Sequence, residues 1–141
     1  MRSTSVDDEL VTRLRLALAR SARRLRQESG TGLSPSLTAA LATIERHGPL
    51  TPSELAARER VQRPTVTRIV DRLEELGLVT RAADPGDRRS SLITVTRAGG
   101  ELLASARTRK DAFLSERLDA LGPEDRATLE RAASLLEDML E

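Results

Sequence analysis

Between Arg63 and Thr96 the hydrophobic period of the chain changes once, from 3.6 residues to 2, and no other feature restricts the fold as much. Val66, Ile69, Val70, Leu73 and Leu76 recur at helical spacing, and Gly77 stands just past them, where a left-handed residue closes a helix. Beyond it, Leu78-Val79-Thr80-Arg81 and Ser91-Leu92-Ile93-Thr94-Val95-Thr96 read as two strands. Asp84-Pro85-Gly86-Asp87 between them is a strong turn signal. The pattern predicts a helix from about Arg63 to Leu76, followed by a β-hairpin made of two strands and the arginine-bearing loop that joins them.

Helices surround this unit. Leu10, Leu14, Leu18, Ala22 and Leu25 mark an amphipathic helix from about Asp7 to Glu28, with Arg13, Arg20, Arg23 and Arg24 for its other faces. Ser29-Gly30-Thr31-Gly32 stops it. Ser34 and Pro35 open a second helix through Leu37, Leu41 and Ile44 to about Arg46, and His47-Gly48-Pro49 ends that one. Thr51-Pro52-Ser53-Glu54 is a capping box, which opens a short helix to about Glu59 with Leu55 and Ala56 inward. A turn from Arg60 to Gln62 leads to the Arg63 helix. After the hairpin, a long helix from about Arg97 to Leu118 carries Leu102, Leu103, Ala106, Phe113 and Leu114. Gly122-Pro123 interrupts it, and a last helix runs from Glu124 to Leu140 through Leu129, Ala132, Leu136 and Met139. The expected class is mainly α (α+β), one domain over residues 1–141, without repeats or low-complexity tracts.

Composition removes several kinds of chemistry. Hydrophobic residues at 38% and charged residues at 32% fit a soluble globular chain. No stretch approaches the ~20 apolar residues of a bilayer span, and the polar N-terminus has no signal-peptide core, so a cytoplasmic protein with no membrane partner is expected. There is no cysteine and a single histidine, His47, which leaves no disulfide, no thiolate metal site and no multi-histidine zinc site. No glycine-rich phosphate loop is present, and the carboxylates lie mainly on helix faces beside arginine. No enzyme, cofactor or metal is expected on these grounds.

The formal charge of +1 hides an asymmetry. Met1 to Ser29 carries seven arginines against four acids, and Arg58 to Arg97 nine against six, each a net +3. Lys110 to Glu141 is net −5. Attraction to nucleic acid depends on a local patch, which the middle of the chain can supply. Of 23 basic residues 22 are arginine, but the bias runs through the whole chain, so genomic base composition accounts for it.

Short helix, turn, helix and hairpin in this order make a helix-turn-helix with a wing. A helix fits the major groove of B-DNA, and its N-terminal half reaches base edges. With Val66, Ile69, Val70 and Leu73 in the core, the opposite face is expected to present Thr65, Arg68 and Arg72, with Arg63, Pro64 and Thr67 at its leading edge. Arg68 is the first choice for a base contact, and Thr65 and Thr67 for backbone or base-edge contacts. Exposed helices often carry arginine, so this helix alone decides little. Asp87-Arg88-Arg89-Ser90 adds two guanidinium groups at the expected tip of the hairpin, where they contribute nothing to a core and suit a narrow minor groove. Asp87 can pair with Arg89 and hold it extended.

These segments resemble the winged-helix core of the multiple antibiotic resistance regulator (MarR) family. The resemblance is carried by Leu50-Thr51-Pro52-Ser53-Glu54-Leu55-Ala56, by Thr65-Val66-Thr67-Arg68-Ile69-Val70-Asp71-Arg72-Leu73-Glu74 and by Gly77-Leu78-Val79. Asp84-Pro85-Gly86-Asp87-Arg88-Arg89-Ser90 and Val95-Thr96-Arg97-Ala98-Gly99 complete it. It implies a DNA-binding lobe over residues 34–100 and dimerisation helices over 7–29 and 101–141. It implies a homodimer on palindromic double-stranded DNA, with recognition helices roughly 34 Å apart, that represses a neighbouring gene until a small-molecule effector of unknown identity relieves it. Pro64, Thr65, Thr67 and Arg68 match the family's groove-facing stretch, Arg89 its wing arginine and Asp87 the acid that braces it. Gln62-Arg63 departs from the family's usual capping Ser or Thr, and Pro64 can compensate as a first-turn residue. An effector pocket is expected between the dimer helices and the DNA-binding lobe, and neither Phe113 nor His47 is assigned to it. A winged-helix DNA-binding protein without ligand response, or a winged-helix protein-interaction module, remains the alternative.

Overall fold

The computed structural model describes residues 4–140, with side chains from Asp7 onward. Its elements are α1 (Thr4–Ser29), α2 (Pro35–His47), α3 (Pro52–Glu59), α4 (Arg63–Glu75), β1 (Val79–Asp84), β2 (Asp87–Val95), α5 (Arg97–Asp119) and α6 (Pro123–Leu140). They form two compact units. One spans Ser29–Arg107; the other consists of the chain up to Glu28 and from Thr108 onward.

The Ser29–Arg107 unit is started and stopped by local signals. Ser34 caps α2 by accepting from the Leu37 N–H at 3.3 Å, and Thr51 caps α3 by accepting from the Glu54 N–H at 3.2 Å. Arg60 ends α3 in the left-handed conformation at φ 55, which turns the chain toward α4. Gly77 does the same after α4 at φ 73, a conformation in which a side chain would be strained. Leu41, Ile44, Leu55, Val66, Val70, Leu73 and Ile93 are fully buried in one cluster, so α2, α3, α4 and the hairpin share a core. Leu50 joins the sheet by a bridge to Ile93, its N–H donating to the Ile93 carbonyl at 3.0 Å and its carbonyl accepting at 2.7 Å. The expected inward face of α4 needs two changes. Ile69 is half-buried, and Leu76, the residue that caps the helix, is 40% exposed.

The hairpin is longer than its period-2 segments. β1 and β2 pair antiparallel from Val79 opposite Val95 to Ala83 opposite Ser91, and the register then jumps to Asp84 opposite Asp87. The hairpin leads into α5 through Thr96. Its hydroxyl donates to the Gly77 carbonyl at 2.6 Å and accepts from the Gly99 N–H at 3.1 Å, tying the end of α4 to the start of α5. Gly99 is buried there. A Cβ on it would lie 2.3 Å from the Leu78 carbonyl oxygen, so only glycine fits.

In the other unit, α6 has no buried residue, and Leu10, Val11, Leu129, Leu135 and Met139 are exposed. Two cations lie over the Phe113 ring, with the guanidinium carbons of Arg24 and Arg117 at 5.2 and 4.3 Å from its centre. Among the described residues no helix is long and apolar enough to cross a membrane.

Candidate nucleic-acid interface

α4 begins without a side-chain cap: Gln62 offers only its backbone carbonyl, which accepts from the Thr65 and Val66 N–H groups at 3.0 and 3.1 Å. Pro64, in the first turn, carries no N–H to satisfy, so the missing Ser or Thr leaves fewer orphan donors than it would elsewhere. Arg63 is exposed, and its guanidinium donates to the Ser53 hydroxyl on α3, which orients it along the start of α4. Pro64, Thr67, Arg68 and Arg72 are exposed as expected.

Three of the expected roles are modified. Thr65 is not on the open face; it is half-buried on the flank of α4 turned to α2, in a cleft it shares with Ser36 and Ile69. The residues opposite Val66, Val70 and Leu73 are Arg68 and its helical neighbours Pro64 and Asp71. The Thr67 hydroxyl donates to the Arg63 carbonyl at 3.1 Å, as hydroxyls on helices commonly do, and keeps its acceptor lone pairs outward. Arg72 is paired with Glu75 at 3.2 Å, which reduces its free charge but, both groups being exposed, does not bind it firmly.

The wing differs most. The turn is closed by Pro85 and Gly86, with the Asp84 carboxylate accepting from the Gly86 N–H at 2.9 Å. Arg88 and Arg89 are therefore not at the tip. They lie on the first residues of β2 and, with Ser90, are looped out of the register between Asp87 and Ser91. A bulge of this kind re-aims side chains, and both arginines are exposed. Nor does Asp87 pair with the Arg89 guanidinium. Its carboxylate accepts from the Arg89 backbone N–H at 2.9 Å, the short local bond that aspartate forms two residues upstream of a donor. Asp87 braces the bulge rather than the charge. Among the described residues, the side chains of Arg68, Arg88 and Arg89 have no acidic partner, whereas Arg72, Arg97 and Arg107 each have one and Arg81 has two.

Sequence reasoning missed Arg81. From β1 its guanidinium reaches Asp71 and also Glu74, the latter at 3.5 Å, both on α4. Asp71 and Glu74 are spaced to share one helix flank, which was a readable signal; that a strand arginine meets them was not. The contact joins α4 to the wing.

This geometry agrees with the relatives of the chain. The MarR family model matches residues 33–91. An uncharacterised HTH-type transcriptional regulator of Mycobacterium bovis is 39% identical over 131 residues, 92% of either chain. The HTH-type transcriptional repressor MdtR of Bacillus subtilis is 30% identical over 77% of this chain and 76% of its own. Among solved structures, a putative transcriptional regulator of Pseudomonas aeruginosa superposes with a TM-score of 0.86 at 31% identity, covering 96% of both chains. FabT of Streptococcus pneumoniae, solved in complex with DNA, is 20% identical with a TM-score of 0.67 over 99% of this chain and 97% of that one, a likeness of fold. With a winged helix in place and relatives this similar over nearly its whole length, the chain belongs to the MarR family of helix-turn-helix transcriptional regulators.

Proposed function

We propose that this regulator binds double-stranded DNA sequence-specifically, as a homodimer on a palindromic operator, and represses a neighbouring gene from the cytoplasm until a small molecule relieves it. One observation carries the reading: the exposed Arg68 on a groove-sized helix, and Arg88 and Arg89 thrown out of the wing ladder, are cations without acids to neutralise them. Such groups add little to folding and suit phosphates and groove edges. Residues 7–29 and 101–141 supply the dimer contacts in this reading, and residues 34–100 the DNA-binding lobe. The repressor name of MdtR and the DNA complex of FabT support it by similarity.

Footprinting of the purified chain on its own upstream region tests this directly. A protected palindrome with two half-sites about one helical turn apart is expected. Binding that is indifferent to sequence, or no protection there or on neighbouring promoters, would overturn it in favour of a protein-contact role for the winged helix.

A further inference from the structure

Within the Ser29–Arg107 unit, Ser36 and Ala39 of α2, Glu59 at the end of α3, Val61 of the turn, and Thr65 and Ile69 of α4 line a cleft of about 290 Å³. Ala39, Val61 and Ile69 give it a carbon surface. Glu59 gives it a charge: its Oε1 is withdrawn from solvent and has no hydrogen-bond partner among the described residues. A carboxylate oxygen in that position is destabilising until a donor reaches it. Glu59 is also the last residue of α3, where the helix dipole is negative and favours a cation further.

We propose that this cleft binds a small organic cation, an ammonium on an apolar body of roughly ten heavy atoms, as suits a site at the small end of the ligand-pocket range. The Glu59 side chain turns to bring its carboxylate to the ammonium, which donates to it, and the body packs on Ala39, Val61 and Ile69. An anion is disfavoured by the same carboxylate. Because Thr65 and Ile69 belong to α4, an occupant bears on the helix that carries Arg68 and changes DNA affinity. That second half rests on the DNA-reading role proposed above; binding of the cation does not. The site lies inside the winged-helix unit rather than in the interlobe position that the family resemblance implies.

Titration of the full chain with phenethylammonium and with n-hexylammonium, followed by amide NMR, tests the site. Saturable shifts at Val61, Thr65 and Ile69 are expected, with binding weakened about tenfold or more in Glu59→Gln, the loss expected for a hydrogen bond to a charged group. Phenethyl alcohol, of the same shape without the charge, binds correspondingly more weakly. Ala39→Leu, at an exposed helix position, fills the cleft, keeps Glu59 and abolishes the shifts. The site is overturned if neither amine gives a saturable shift, if alcohol and ammonium bind alike, or if Glu59→Gln, shown folded by its own spectrum, binds unchanged. Operator affinity measured by fluorescence anisotropy separates the two claims. A change on saturation with amine in the native chain and not in Glu59→Gln supports the coupling, and no change overturns it. Absence of DNA binding without any amine overturns the functional reading instead, and the NMR shifts still decide the site.

Discussion

At the scale of single residues, the winged helix depends on a few positions where chemistry leaves one choice. Gly99 is the sharpest, since an added Cβ meets the Leu78 carbonyl oxygen at 2.3 Å and the Val95 Cγ2 at 2.8 Å. Overpacking of this kind costs about 1–3 kcal/mol, so Gly99→Ala is expected to lower Tm by roughly 3–10 °C for a chain of this length. Gly122→Ala, where nothing lies within 4 Å, is the matched control, and equal melting of the two variants would remove close packing as the reason for Gly99. Arg68 and Arg89 differ in what their loss should do. Arg89→Ala is expected to weaken operator binding and flatten its dependence on salt by up to about one unit of log–log slope, as one lost phosphate contact does. Arg68→Ala should instead cost ~1–3 kcal/mol at particular base pairs. Anisotropy against a panel of operator variants at several salt concentrations reads both, and a uniform loss for Arg68→Ala would make it a phosphate contact.

At the scale of elements, the caps at Ser34, Thr51 and Gly77 and the change of period after it are local, and for that reason were legible in the sequence before any packing was known. What could not be read was which residue meets which. Period 2 assigns a strand residue to a face but not to a partner, so the looping-out of Arg88, Arg89 and Ser90 left no signal, and the arginines were expected at a tip that Pro85 and Gly86 occupy. Likewise the apolar period of α4 did not reveal that α2 would half-cover the Thr65 and Ile69 flank. The Arg81 contact with Asp71 and Glu74 is the element-scale feature with a functional consequence, because it fixes the wing against α4. If it acts as a latch, Arg81→Gln and Asp71→Asn should each reduce operator affinity, and the double variant little more than either. The expected coupling is about 0.5–3 kcal/mol. A double-mutant cycle in operator affinity checks this, and additive losses would mean that the two residues act separately.

At the scale of the whole molecule, the unresolved balance is between apolar surface and partners. Val11 is 63% exposed and Met139 65%, with Leu10, Leu129 and Leu135 also open, all in the unit built from the chain ends. Single exposed apolar residues are ordinary, but runs of them on α1 and on α6, a helix with no buried residue, are the surface that the proposed dimer would cover. A second copy is the partner a palindrome requires, since twofold DNA is matched by a twofold protein. Leu135→Glu combined with Met139→Glu should therefore convert a dimer to a folded monomer in sedimentation, with helical content kept because neither side chain is buried. The consequence for DNA follows from counting phosphates. A monomer engages one half-site, so the slope of log affinity against log salt, set at about −0.9 per neutralised phosphate, should fall to roughly half. Affinity itself should fall by far more than twofold, because the second half-site contact is no longer intramolecular. A native chain that sediments as a monomer would overturn the dimer, and a variant that keeps the full salt slope would place dimerisation outside these helices.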